Sequence, residues 1–198
     1  MVAEVLSGMV QGIQGELITV QADISDGLPV FGMTGHLSSE VKEAKERVRT
    51  ALKNTGYHLP PRRVSVNLAP ADVRKSGTCY DLAIAVGILT AMGLISRESV
   101  RGILFLGELS LDGMLSPLTG VLSILKAALE AGCRICVIPL FNVKEASLLP
   151  GMKVLGFTDL EEVIHFLTGQ REEGEMRRKG LSAVPTESVS EKLRYSGM

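Results

Sequence analysis

From Gly102 onward the chain alternates short apolar strands with helices, and this order constrains the fold more than any other feature. GILFLGELSLDGMLSP reads as a strand followed by a hairpin, with Asp112-Gly113 at the turn. A helix over 121–131, a strand over 134–138, a short helix near 143–149, a strand over 153–156 and a helix over 159–168 follow. Short apolar strands separated by helices join as βαβ crossovers, which predicts that type of connection for the second half.

The first third alternates apolar and polar residues instead. Ala3 to Val10 and Glu16 to Ser25 read as two strands around a Gly12–Gly15 turn, and Pro29 to Thr34 as a third. SSEVKEAKERVRTALKNTG is a helix capped by Ser38 or Ser39 and ended by Asn54 to Gly56. Its apolar positions Val41, Ala44, Val48, Ala51 and Leu52 recur at three- and four-residue steps, so one face packs. VSVNLA (64–69) is a buried strand, and Asp81 to Met92 an apolar helix. The fold class is therefore α+β or mixed α/β, a hairpin-rich first part followed by crossovers.

The pattern stops at Thr168. The last 28 residues carry six Lys/Arg and five Asp/Glu with few core-forming positions, the composition of a linker or exposed tail. The expected organisation is one domain over 1–169 and a tail over 170–198. With 45% hydrophobic residues, no Trp and only 4% aromatics, the core must be built from Val, Leu, Ile and Ala.

The start has no basic region leading into a long apolar run, and no apolar stretch approaches about 18 residues. Three cysteines, an odd number, suit a reducing compartment. These features predict a cytoplasmic protein without a membrane partner. Cys133-Arg-Ile-Cys136 is a CxxC, but it opens a strand, not a helix, and only Cys79, His36, His58 and His165 could complete a metal site. Core packing is the expectation for the cysteines, and a surface or internally satisfied place for the histidines. Neither GxxxxGK[ST] nor GxGxxG occurs, and HExxH and GxSxG are absent. No cofactor or metal is expected in this chain.

One junction has the form of an active site. KSGTCYDLAIAVGIL (75–89) runs a polar glycine-bearing loop into Asp81 and then into a helix. Helix starts offer free N–H donors to nucleophiles and phosphates, yet the residues after Asp81 are Leu82, Ala83, Ile84 and Ala85. A second feature is charge. Nine cations and only three acids lie between residues 42 and 75, an excess of six in a chain whose net charge is −1. Lys42, Lys45, Arg49 and Lys53 share a helical face, with Arg62, Arg63, Arg74 and Lys75 at nearby loops. The patch reads as a docking stripe for a phosphate backbone or an acidic partner, or as the solvated face of an amphipathic helix.

VKEAKERVRTALKNTGYHLPPRRVSVNLAPADVRKSGTCYDLAIAVGIL resembles the amino-terminal domain of Mg-chelatase-like AAA+ ATPases of the ComM (YifB) subfamily. GELSLDGMLSPLTGVL, AGCRICVIPLFNVKEASLLPG and DLEEVIHFLTG continue the likeness to about residue 169. The resemblance implies a fold like the proteolytic domain of Lon protease, in a superfamily shared with a ribosomal protein domain. In Lon, a loop similar to GTCYD leads to the nucleophilic serine, and a segment similar to GELSLDGMLSPLTGVL carries the lysine base. Threading by Thr78 and Asp81 puts Ile84 at the serine position, and threading by Gly107-Glu108, Gly113, Pro117 and Gly120 puts Leu122 at the lysine position. Neither side chain can act in nucleophilic catalysis.

The implied role is then a non-proteolytic accessory and assembly domain, itself not an enzyme, ahead of an AAA+ module that uses ATP and Mg²⁺. That module would assemble into a ring with neighbouring subunits and promote DNA branch migration in recombination and natural transformation. On this reading the chain is an amino-terminal fragment, or a product truncated in the gene, that stops at Met198 where the ATPase would begin. The alternatives are a magnesium chelatase ATPase subunit and a Ser–Lys peptidase with a displaced dyad such as Ser76 with Lys75.

Overall fold

The computed structural model describes residues 2–169, so the expected tail over 170–198 lies outside the described residues. Strands β1 (Ala3–Gln11) and β2 (Gln14–Ser25) form an antiparallel hairpin in continuous register from Ala3↔Ala22 to Gln11↔Gln14. Its tip is tighter than the sequence suggests. Only Gly12 and Ile13 turn the chain, and Gly12 takes the left-handed φ of 65° that such a turn demands.

β3 (Val30–Thr34), α1 (Ser39–Asn54) and β4 (Arg63–Ala69) follow, and β3 and β4 are parallel. The first part, expected to be hairpin-rich, thus also contains a βαβ crossover. The reason is geometric: a 16-residue helix between two strands carries the chain back over the sheet, so the second strand starts at the same end as the first. Ser38 caps α1 by accepting the Val41 N–H at 3.4 Å, as its position predicts.

After α2 (Asp81–Ala91), a one-turn helix α3 (Arg97–Val100) appears that the periodicity does not reveal. β5 (Ile103–Phe105), the small hairpin β6 (Glu108–Leu109) and β7 (Leu115–Ser116), α4 (Val121–Glu130), β8 (Ile135–Pro139), α5 (Val143–Ala146), β9 (Lys153–Phe157) and α6 (Leu160–Leu167) complete the order. The main sheet has seven strands in the order β3-β4-β2-β1-β5-β8-β9, and only β2 runs against the others.

Two cores flank this sheet. Because side chains alternate along a strand, Val5 and Met9 of β1, Phe105 of β5, Val137 of β8 and Leu155 of β9 join the core that holds α1, α2 and α6. Leu104, Cys136, Ile138 and Val154 point the other way and pack with Val121, Ile124 and Leu125 of α4. α4 also covers the hairpin end of β2, where Gly15 meets Ser123 and Ile124, and beyond that the second face opens. There β4 shows Ser65 and Asn67 between buried Val64, Val66 and Leu68. Helix α2 is apolar all round because it is covered all round: every residue from Asp81 to Thr90 is buried.

Candidate functional site

The loop-to-helix junction is built around Asp81, the first residue of α2, whose side chain has no solvent exposure. Its carboxylate accepts from Arg47 Nε at 2.7 Å and Nη2 at 3.0 Å, and from the Leu109 N–H at 3.2 Å. One carboxylate thus ties α1, α2 and β6 together. Burial pushes the Asp81 carboxyl up to about 6, a rise that the Arg47 guanidinium and the Leu109 N–H oppose without cancelling. The same pairing raises Arg47 above the ordinary guanidinium range.

The surrounding loop is fastened by its own backbone. Gly107 N–H donates to the Cys79 carbonyl and Leu82 N–H to the Gly107 carbonyl, both at 3.0 Å. Thr78 Oγ1 donates to Glu108, and Glu40 accepts from Ser38 Oγ at 3.2 Å and from Gly77 N–H at 3.4 Å.

Lys75 departs from its expected place on a cationic surface. It is fully buried, and its Nζ donates to the Val73 carbonyl at 2.7 Å and to the Pro70 carbonyl. Its backbone bridges to the entry of α1, with Lys75 N–H on the His36 carbonyl at 2.8 Å and Ser38 N–H on the Lys75 carbonyl at 3.0 Å. Desolvation lowers its pKa. The long aliphatic stem fills the loop while carbonyls satisfy the ammonium, so Lys75 staples the loop and leaves the patch. Ser76, beside it, is exposed. With the lysine's ammonium turned inward onto two carbonyls, the junction brings no base to Ser76.

Ile84 and Leu122 do not meet. Ile84 is fully buried in the core between the sheet, α1 and α2. Leu122 is half-buried on α4, whose Val121, Ile124 and Leu125 pack in the core across the sheet. The two apolar residues thus lie on opposite sides of the main sheet, and neither carries a group that could act as nucleophile or base. The thiol of this junction is Cys79, which packs against the same core as Ile84. Its thiol lies 2.9 Å from the Gly8 carbonyl, and Gly8 is the strand residue against which Ile124 of α4 is pressed. Burial pushes the Cys79 thiol up to about 12, so it stays protonated near neutral pH and is a poor nucleophile.

The other cysteines pack as expected. Cys133 and Cys136 are buried and not disulfide-bonded. Among the described residues no group of three or more His, Cys, Asp or Glu could hold a metal ion. His36 and His58 are exposed, and half-buried His165 lies 3.9 Å from Glu161.

The cationic residues divide. Lys42, Arg49 and Lys53 are exposed along α1, and Lys45 is half-buried among them. Arg62 and Arg63 stand at the start of β4, whereas exposed Arg74 follows its far end. Lys45, Arg49 and Arg62 line a groove of about 370 Å³ together with Val30, Pro60 and Pro61. Arg62 also holds a carboxylate outside the groove lining: Asp26 Oδ1 accepts from its Nε at 3.0 Å and its Nη2 at 2.6 Å. The sequence shows the charges but not this groove, because Val30 and Arg62 are brought together only by the parallel pairing of β3 with β4.

The fold and junction together define a mixed α/β domain with an enclosed helix start and no nucleophile–base pair at the positions considered. The family model described as subunit ChlI of Mg-chelatase matches residues 20–142, and the chain belongs to that family. Competence protein ComM of Haemophilus influenzae is 38% identical over 168 residues, 85% of this chain and 33% of that protein. The uncharacterized protein YifB of Escherichia coli is 35% identical over 184 residues, 93% of this chain and 35% of its own length. A Lon protease of Mycolicibacterium smegmatis is 27% identical over 167 residues, covering 78% of this chain and 21% of the protease. The chain thus spans about a third of the length of its ComM and YifB relatives.

Proposed function

We propose that this domain is the non-proteolytic accessory and assembly domain of a ComM-like protein. The full-length protein would be a cytoplasmic AAA+ ATPase, acting in ATP-dependent DNA branch migration during recombination and natural transformation. The fold is then the Lon-protease-like one of the ribosomal-protein superfamily, which the likeness to Lon supports. ATP and Mg²⁺ belong to the ATPase module, and the partners are that module and neighbouring subunits of a homo-oligomer. The observation that carries the non-proteolytic part is the junction: Leu122 is apolar, Ile84 lies in the other core, and the Cys79 thiol is protonated and bonded to a carbonyl.

Incubation with unfolded casein and with a serine-reactive fluorophosphonate tests this directly. No cleavage and no labelling are expected, and labelling lost in Ser76→Ala would sink the reading.

The DNA part is supported by the relative named as a competence protein and by the exposed cations of α1. Weak, sequence-independent contact with duplex DNA is expected, with a dissociation constant near about 10⁻⁴ M. Contacts from Lys42, Lys45, Arg49 and Lys53 would give a log–log salt slope of about −3.6. Lys42→Glu with Lys53→Glu should weaken anisotropy-detected binding, since both side chains are exposed. Binding indifferent to salt would leave the stripe as solvated surface.

The family description favours one other reading, a magnesium chelatase ATPase subunit. ATP hydrolysis by the full-length protein separates the two: stimulation by branched DNA supports the first, and stimulation by protoporphyrin with its chelatase partners supports the second.

A further inference from the structure

The groove between α1 and the start of β4 combines three features that a solvated helix face lacks. It is lined by Lys45, Arg49 and Arg62, by the half-exposed Val30, and by two consecutive prolines, Pro60 and Pro61. Val30 is 48% exposed, and Leu28, two residues earlier, is 86% exposed. Lys45 and Arg49 have no ion-pair partner among the described residues. Exposed apolar surface beside two unpaired cations, and a third held by one exposed carboxylate, suits a ligand that is both acidic and apolar.

The geometry points to an acidic peptide carrying a bulky apolar residue as the occupant. Its carboxylates meet Lys45, Arg49 and Arg62, and its apolar side chain lies on Val30, Pro60 and Pro61. Arg62 supplies the argument for carboxylate rather than phosphate. It holds the Asp26 carboxylate by two donors at 3.0 and 2.6 Å, and that carboxylate is 94% exposed. Asp26 does not line the groove itself; it holds Arg62 from the solvent side with an exposed carboxylate, which a competing carboxylate can replace. The groove suits nucleic acid less well. Its one aromatic, Phe31, is only 6% exposed and offers no face on which a base could stack. The inference does not rest on the DNA reading of the α1 stripe, and each can fail alone.

The test is fluorescence anisotropy at low salt with a labelled peptide in which a central Leu-Phe pair is flanked by three aspartates on each side. Saturable binding is expected with the full chain. Arg49→Glu should weaken it about tenfold, because it reverses an exposed rim charge. Asp26→Asn should tighten it about threefold by freeing Arg62, a gain that misfolding cannot imitate. Val30→Ser should weaken peptide binding and leave duplex DNA binding unchanged. Any of three results overturns the proposal: no saturation up to about 1 mM peptide; equal binding of a peptide whose Leu-Phe pair is replaced by Gly-Gly; or displacement of the peptide by a single-stranded oligonucleotide that itself responds to Val30→Ser.

Discussion

The two ends of the main sheet are built on different terms. At the β5-β8-β9 end both faces are covered, by α2 and α6 on one side and α4 with α5 on the other. At the β3-β4-β2 end one face is covered by α1 and α2, and the other, away from the hairpin end of β2 that packs on α4, carries hydrogen-bonded polar side chains. Thr34 Oγ1 donates to Asn67 Oδ1 at 3.0 Å, Asn67 Nδ2 to Gln21 Oε1 at 3.0 Å and Gln21 Nε2 to Glu4 Oε1 at 2.8 Å. Each bond follows the strand register, so a row of polar groups crosses four strands. The covered end takes its stability from area removed from water. The open end takes less from each residue and spends its outward positions on solvation and, at its rim, on charge.

A large effect is expected where the covered region encloses a charge. Arg47→Ala leaves Asp81 buried and unpaired and should cost about 3 kcal/mol in urea denaturation. The pH dependence follows from Asp81 as well. Its folded pKa, about 6, lies above an unfolded value of about 3.9. The native state therefore binds the extra proton between these values. The contribution is fully present below about pH 4 and is lost as pH rises through about 6. Asp81→Asn should flatten stability across that window, and an unchanged slope would show that another group governs it.

Leu82→Ala removes a side chain with no exposure from α2 and should cost about 2–5 kcal/mol, depending on how far the site collapses. On the open face, Asn67→Ala breaks the polar row and should cost about 1 kcal/mol. If the open-face loss equalled that of Leu82→Ala, the contrast between the two ends would fail. Ile13→Ser at the 89% exposed tip of the first hairpin should stay within about 0.5 kcal/mol. Thiol reagents give a check without mutation. Cys79 and Cys136 are both pushed up to about 12 by burial, so they should react slowly in the native protein and rapidly in denaturant.

The same contrast explains what the sequence could reveal. Where one face is covered, alternation marks the strand, so β1, β2 and β4 are legible to within a residue or two, and Ser38 announces α1. Where both faces are covered, the apolar run still marks a strand, and β8 and β9 appear close to their predicted bounds. What period cannot tell is which layer a residue joins. Ile84 and Leu122 both read as apolar helix residues, and only the sheet between them separates them. Direction was hidden too, since nothing local to β3 or β4 states that they are parallel.

The candidate site was half visible. The cations of α1 were legible from charge counting. The burial of Lys75 and the pairing of Arg47 with Asp81, 34 residues apart, were not. Both depend on tertiary partners, and a lysine in a polar loop looks the same in sequence whether its ammonium meets water or two carbonyls.

The strand order also sets a timetable for synthesis. Strands β1 to β4 are contiguous in the sheet and are all made by Ala69, so the ribosome releases a four-stranded block early. The free edge of β1 cannot be sealed until β5 emerges. Ser7, on that strand, waits 98 residues for the Phe105 carbonyl to which its hydroxyl donates at 2.9 Å. During that interval the nascent chain exposes the strand that ends up at the centre of the sheet, with its hydrogen-bonding groups unmatched on one side. The stretch of translation between β4 and β5 is where a chaperone would do most for this protein.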